Sequence, residues 1–461
     1  MLRRRTFVLL AFAGCVSCSP GKAREQPAAH ERPNIVFLIS DDQSVPDLGC
    51  YGNTAIGTPN VDRIARDGMR FDNAFVSSPQ CSPSRAAILT GRSPVAVGMS
   101  RLHAALRPWV GSVLEPLKTA GYYTAAYRKV HLGDEFQKRW DYYGGFDEAP
   151  ATFFARRPKD RPFFLWVGFE DPHRPYPHGV PWTPPHDPAK VIVQPYLPDT
   201  PKVRQDIAMY YDAISRMDRD LGEVLDALDR EGLAKNTIVV FVGDNGLPFP
   251  GAKGSLYDAG IHVPLLARWP GRVAAGSADR DLVALLDLPA TWLDAAGIAI
   301  PPEMEGRSFL GRLTGAHPGP TRTAVFAERD WHDTLDAIRA VRTDRYLLLH
   351  NFRPELPLQL TDDLRDSLSW QSILELDQAK ALPAPLHDRL FGAPRPTLEL
   401  YDLASDTAQL HNLAADPAHA DDVHALEVLL GRWMTAINDY LPPPAQPPHS
   451  KHGESGADRA P

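Results

Sequence analysis

Five consecutive residues, Cys81-Ser82-Pro83-Ser84-Arg85, place an oxidisable thiol and a fixed cation four positions apart. Residues four apart share one face of a helix, so a guanidinium at 85 falls beneath whatever group Cys81 carries. Ser82 suits an N-cap, Pro83 the first helical position and Thr90-Gly91 an end, which predicts a short helix with Cys81 at its entrance. Unpaired backbone N–H groups at a helix start attract anions, and with Arg85 beside them the natural substrate is anionic. Alone, the pentapeptide reads equally well as a buried thiol beside a capped helix, because free cysteine is usually core. The residues that would have to join it decide between the two.

Asp41, Asp42, Asp244 and Asn245 offer only oxygen ligands, three of them ionised, a set that suits Ca²⁺ first and Mg²⁺ second. A lone Asp-Asp or Asp-Asn-Gly is usually a turn or a cap, but both of these follow apolar runs directly. Lys129 and His131 follow another such run, where a residue of coil turns both inward. His173 stands in Asp171-Pro172-His173-Arg174-Pro175, an exposed loop composition in which packing is a poor reason for a histidine. Lys253 lies in Gly251-Ala252-Lys253-Gly254, where glycines permit close approach to an anion.

Four apolar segments, 34–40, 122–127, 163–169 and 237–243, read as buried parallel strands, and each runs straight into one of these polar groups. Ligands of open α/β sheets collect outside the carboxyl ends of the strands, so the four termini can converge although they lie up to about two hundred residues apart. Helices at 60–67 and along a stripe from Ile207 to Leu228 supply covering layers, the stripe being core. A helix over 282–296 precedes a Pro-Gly-rich passage at 301–320. Beyond it, short antiparallel strands at 324–327, 338–341, 346–349 and 398–403 precede a helix near 418–441. The expected fold class is α/β: a large mixed, mostly parallel sheet flanked by helices, plus a smaller C-terminal α+β subdomain with a short antiparallel sheet. The expected division is 1–30 export signal and linker, 31–320 catalytic domain, 321–441 C-terminal subdomain and 442–461 flexible tail.

With 461 residues the chain exceeds one small core, and its net charge of -8 argues against a general nucleic-acid partner while leaving room for a locally basic pocket. Proline is high, at 45, and many cluster at 172–201, 353–357, 383–395 and 442–448, which predicts extended loops and a tail there. Arg3-Arg4-Arg5, an apolar run over 7–13 and Gly14-Cys15 have the layout of an export signal, too short to span a membrane. Arg4-Arg5-Thr6-Phe7-Val8 resembles a twin-arginine signal, and Phe12-Ala13-Gly14-Cys15 a lipoprotein cleavage box with an atypical Phe. The expectation is an exported protein, periplasmic or lipid-anchored at the cell envelope, with no membrane contact beyond that N-terminal lipid. Without the signal only Cys50 and Cys81 remain, so no structural disulfide is expected once Cys81 is oxidised.

Taken together, these residues resemble the type I sulfatases of the alkaline-phosphatase-like superfamily over roughly 34–413. The resemblance implies that a formylglycine-generating enzyme oxidises Cys81 to formylglycine, and that Asp41, Asp42, Asp244 and Asn245 hold Ca²⁺ together with residue 81. It also implies roles. One hydroxyl of the hydrated aldehyde, deprotonated through Asp244 and stabilised by Arg85, attacks sulfur, while Lys129, Lys253 and the metal hold the sulfate oxygens. His173, with Lys253, protonates the leaving group, and His131 deprotonates the second hydroxyl, which expels sulfate. Serine or unmodified cysteine at 81 could not perform that last step.

Asp171-Pro172-His173-Arg174, the run 197–201, Arg216-Met217-Asp218, the run 244–250 and His350-Asn351 are similar to the heparan N-sulfatase group. That implies N-sulfated glucosamine as the substrate, in heparan or heparin degradation. Lys253 departs from the pattern, since the lysosomal N-sulfatases resemble an Arg-bearing version of this position, so O-sulfates of other polysaccharides stay open. His103, Arg107 and His332 are candidates for substrate recognition. A phosphonate monoester or phosphodiester hydrolase shares the fold and the motif, and a sulfoglycan-binding lipoprotein with a dead site is the non-enzymatic alternative.

Overall fold

Continuous apolar runs form strands only where both of their faces are covered, and that is where the runs of this chain lie. The computed structural model describes residues 32–176, 181–317 and 321–441. Its main sheet has eight strands, in the order Tyr142–Gly144, Tyr123–Arg128, Phe163–Gly168, Asn34–Ser40, Thr237–Gly243, Leu265–Arg268, Met69–Phe71 and Ser277–Asp279. The central strand Asn34–Ser40 pairs in parallel with Phe163–Gly168 on one side and Thr237–Gly243 on the other. Leu265–Arg268 runs antiparallel to its neighbours, so the sheet is mixed but mostly parallel.

Register decides where the chemistry sits. Ile39 lies opposite Gly168, Ser40 opposite Gly243, and Gly168 opposite Arg128. Four strands therefore stop level, and the polar residues that follow them emerge along one edge. A side chain at Gly168 would run into the Lys129 carbonyl, 1.9 Å from the nearest position for a Cβ, so glycine is required where these two strands end.

Alternate residues of the central strand feed two cores. Ile35, Phe37 and Ile39 pack on one face, where the Phe37 ring centroid lies 4.8 Å from that of Trp166 and 5.0 Å from that of Trp292. Val36 and Leu38 face the other side and the 30-residue helix Pro201–Arg230. The Thr200 side chain caps that helix by accepting the Val203 N–H, Pro201 begins it, and the stripe from Ile207 to Leu228 is buried as expected. Burying each such side chain contributes about 1.5–3 kcal/mol relative to exposure.

A separate four-stranded antiparallel sheet, Val325–Trp331, Leu335–Arg342, Tyr346–Asn351 and Leu398–Asp402, occupies the C-terminal part. Helix Ala420–Ala436 lays Val423, Leu426 and Leu430 against Val341, Leu348 and Leu400 of that sheet. Two readings need correction. The segment 383–395 is not all extended, because Ala384–Phe391 is a helix whose Pro385 falls in the first turn, where no helical N–H bond is lost. The segment 282–296 starts as the short strand Val283–Ala284, and its helix, Leu288–Ala295, begins only where Pro289 occupies an early turn position. The expected export signal and tail lie outside the described residues. No described helix is long and apolar enough to cross a membrane, and Cys50 and Cys81 are free thiols.

Candidate active site

Cys81 opens the helix Cys81–Thr90, two residues earlier than the Ser-Pro signal predicts. Gln80, in extended conformation, takes the cap position. The Ser82 hydroxyl is engaged elsewhere, accepting the His103 backbone N–H at 2.9 Å, and Pro83 still falls in the first turn, where helical N–H groups have no partner. Gly91, left-handed, ends the helix as expected, and every residue between is buried.

The level strand ends bring the predicted residues together. Cys81 Sγ lies 3.3 Å from Asp41 Oδ1. Arg85 Nε donates to Asp244 Oδ2 at 2.8 Å, its Nη1 donates to the Lys129 carbonyl at 2.7 Å, and its Nη2 stands 3.8 Å from Asp41 Oδ1. Lys129 Nζ donates to Asp41 Oδ2. Asp42, held at a φ of 66°, donates its backbone N–H to Asp244 Oδ1 at 3.0 Å. Its Oδ1 accepts from Asn245 Nδ2 at 2.8 Å and its Oδ2 from Lys253 Nζ at 2.7 Å. His173 Nδ1 donates to the Arg174 carbonyl, and Nε2 stands 3.8 Å from Asp42 Oδ2.

Backbone geometry turns the Lys129 segment into the site. Arg128 and His131 both adopt left-handed φ values, 62° and 65°, so the strand stops at Arg128 and the coil residue expected from the sequence is realised. His131 Nε2 shares a 2.7 Å hydrogen bond with His103 Nδ1, which brings one proposed recognition residue to the site. His332 is buried, 2.7 Å from Asp333 through Nδ1, and interacts electrostatically with Lys253 and Asp363. Arg107 is exposed with its guanidinium 5.5 Å over the Trp109 ring, and it does not line the cavity described below. The glycines around Lys253 are left-handed, but Gly254 faces Thr361 and Arg329 and Gly251 faces Arg389. They admit C-terminal side chains rather than forming an open anion cradle.

Charge in this cluster is unevenly held. Burial alone would raise Asp41, but Lys129, His173 and Arg85 outweigh it and hold the carboxyl well below its ordinary range. Burial pushes Asp42 up to about 6, against Lys253, and burial with the Asp41 charge pushes Asp244 up to about 7, against Arg85. Lys129 and Lys253 are raised because their carboxylate partners overcome desolvation. Burial and then Lys253 push His173 down to about 3, and burial and then Lys129 hold His131 well below its usual value. Burial and Asp41 raise the Cys81 thiol, the opposite of the setting that makes a reactive thiolate.

Asp41, Asp42 and Asp244 are paired with Lys129, Lys253 and Arg85, and one acceptor beside them is left over. Asn245 Oδ1 is buried without a hydrogen-bond partner among the described residues, an acceptor left over after Nδ2 has bonded Asp42. Ligand atoms of Asp41, Asp42, Cys81 and His173 lie within 4.8 Å of one another. The carboxylate and amide oxygens of Asp41, Asp42, Asp244 and Asn245 fit a hard divalent cation.

Asp363 was not foreseen. It arrives in the short turn Asp362–Leu364, and its Oδ2 accepts from Lys253 Nζ at 2.6 Å and stands 3.6 Å from His173 Nε2. Lys253 holds its carboxyl below the ordinary range despite burial. Two bidentate pairs brace the His173 loop: Asp171 with Arg216 at 2.8 and 3.0 Å, and Arg174 with Asp206 at 2.8 Å twice. Asp41, Lys129, His131, His173 and Arg174 open onto a cavity of about 450 Å³. A buried nucleophile position flanked by cations, beneath an open cavity, is equipped to transfer an anionic group.

Residues 33–298 match the sulfatase family. The chain belongs to that family. Residues 252–396 of this sulfatase also match the C-terminal family of N-sulphoglucosamine sulphohydrolase. Human N-sulphoglucosamine sulphohydrolase is 32% identical, over 88% of this chain and 90% of its own. An ulvan-active sulfatase of Formosa agariphila is 30% identical over 94% of this chain and 81% of its own. A solved structure in complex with its substrate D-glucosamine-2-N,6-O-disulfate has a TM-score of 0.68 at 19% identity, covering 88% of this chain and 98% of that one. The phosphonate monoester hydrolase of Silicibacter pomeroyi has a TM-score of 0.67 at 20% identity, covering 89% and 96%. These two share the fold expected from the sequence, and family membership makes the protein a hydrolase.

Proposed function

We propose that this sulfatase removes sulfate from a sulfated sugar, and that its preferred bond is the N-sulfate of glucosamine. The observation that carries the hydrolytic reading is the convergence of Cys81, Arg85, Lys129, His173 and Lys253 on the carboxylates Asp41, Asp42 and Asp244 in one buried cluster. The N-sulfate reading is supported by the match of 252–396 to the N-sulphoglucosamine sulphohydrolase C-terminal family and by the human relative.

Formylglycine at 81 would supply a hydrated aldehyde as nucleophile, and Ca²⁺ held by Asp41, Asp42, Asp244 and Asn245 would supply a Lewis acid for the sulfate oxygens. The remaining work falls to the side chains of the cluster. Arg85 holds Asp244 Oδ2 in place beside residue 81 and adds positive charge under it. Lys129 and Lys253 bind sulfate oxygens from two sides of the cluster, fixed donors where charge develops. His173 Nε2 delivers a proton to the leaving atom, and the negative charge of bound sulfate works against the depression of its imidazole by Lys253. His131, kept neutral by burial and Lys129, accepts the proton that accompanies sulfate release.

A second reading, an O-sulfatase on another polysaccharide, is supported by the ulvan-active relative and by lysine rather than arginine at 253. Mass spectrometry of the residue 81 peptide, with sulfate release by protein made with and without a formylglycine-generating enzyme, tests the hydrolytic proposal. Release that tracks conversion of Cys81 is expected, and equal release from unconverted protein would refute it. Export through the N-terminal segment belongs to the same proposal.

A further inference from the structure

The leaving-group side of the cluster carries a carboxylate that sulfate transfer itself does not call upon. Asp363 Oδ2 is occupied by Lys253 Nζ, whereas Oδ1 is buried and has no hydrogen-bond partner among the described residues. The side chain is 13% exposed. It lines a second cavity, about 360 Å³, together with Arg174, Tyr176 and Met209, while His173 and Arg174 line the first. Arg174 lines both cavities, and Asp363 lines the second, 3.6 Å from His173 Nε2, which lies on the first.

We propose that Asp363 is a specificity-determining residue: its carboxylate accepts the N–H of a sulfamate leaving group and so favours N-sulfate over O-sulfate. The proposal rests on the N-sulfate reading above and names the residue that would enforce it. A sulfamate nitrogen bears hydrogen before reaction. As the S–N bond breaks and sulfur bonds to the oxygen nucleophile at residue 81, nitrogen keeps the bonding pair and takes a proton from His173 Nε2. The product is an amine, which takes a further proton from water at neutral pH. Hydrogen on nitrogen is thus available throughout, so the carboxylate can accept it before and during S–N cleavage, and the bond strengthens where proton transfer from His173 runs ahead of cleavage and leaves positive charge on nitrogen. An ester oxygen carries no hydrogen until it has left. Facing it, an ionised carboxylate, which can only accept, sets lone pair against lone pair. Lys253 does not cancel this preference, because it engages Oδ2 and leaves Oδ1 without a hydrogen-bond partner among the described residues.

The test compares kcat/KM for glucosamine N-sulfate and 4-nitrophenyl sulfate in matured wild type, Asp363→Asn and Asp363→Glu. Losing a hydrogen bond to a charged group predicts that the N-sulfate to aryl sulfate ratio falls by about 10–100-fold in Asp363→Asn, over and above any loss the two substrates share through Lys253. Asp363→Glu, which keeps an acceptor, should recover most of the ratio. The aryl sulfate rate also reports folding. A ratio unchanged in Asp363→Asn overturns the proposal, as does a parallel fall on both substrates, which would make Asp363 only a support for Lys253. A wild type with no N-sulfate activity would overturn the functional reading itself, whereas an active wild type with an unchanged ratio overturns this inference alone. A second readout needs no catalysis: in protein with Cys81 unconverted, calorimetric affinity for glucosamine should weaken about 5-fold or more in Asp363→Asn, and equal affinity counts against the proposal.

Discussion

Arg85 Nε donates to Asp244 Oδ2 at 2.8 Å with both side chains wholly buried, so the helix that begins at Cys81 is locked to the end of strand Thr237–Gly243. This pair ties the position of the helix carrying residue 81 to that of Asp244. Arg85→Ala would remove the cation bonded to buried Asp244 Oδ2 and break a buried ion pair, a loss of about 3–5 kcal/mol in unfolding free energy. Arg85→Lys keeps the charge but cannot hold Asp244 and the Lys129 carbonyl together, so activity should fall far more than stability. Urea unfolding beside sulfate release separates the two effects.

Divalent cation binding should depend on pH with a definite sign. Folded pKa values of about 6 for Asp42 and about 7 for Asp244 lie above that of an unfolded Asp, so without metal the native state holds extra protons. The associated stability is present below the unfolded Asp value and is lost as pH rises through 6 to 7. Cation affinity should therefore increase over the same window, with proton release at pH 6 that disappears by about pH 8. Calorimetry in buffers of different ionisation enthalpy measures this release. The increase in Tm caused by Ca²⁺ should be larger at pH 8 than at pH 5.5, and chelation should reverse it.

His173 is expected to matter in proportion to how badly the leaving group needs a proton. His173→Asn should slow release from glucosamine N-sulfate by about 10²–10⁴-fold, while 4-nitrophenyl sulfate, whose leaving group departs as a stable anion, should lose far less. Equal losses on both substrates would remove His173 from the role of proton donor.

Much of this site was legible because each half of it follows a continuous apolar strand. Asp41 and Asp42 after Asn34–Ser40, and Asp244 and Asn245 after Thr237–Gly243, are joined by sheet register alone. What was not legible depends on tertiary approach. Asp363 lies in Thr361-Asp362-Asp363-Leu364, a polar turn with no apolar run before it, and only the packing of the C-terminal part against Lys253 gives it a role. The pairing of His103 with His131 likewise needs a chain reversal that no local pattern marks, since both residues sit at left-handed φ without being glycine. The early start of helix Cys81–Thr90 has the same origin, for the Ser82 hydroxyl that would have capped it is claimed by the His103 backbone.

Free sulfate release from glucosamine N-sulfate beside glucosamine 6-O-sulfate shows whether the buried cluster around residue 81 cleaves the N-sulfate of glucosamine. The protein is matured by a formylglycine-generating enzyme, and Cys81→Ser serves as control. Multiple-turnover release from the N-sulfate is expected of the wild type, and none of Cys81→Ser. Release from the 6-O-sulfate alone, or full turnover by Cys81→Ser, would contradict the proposed function.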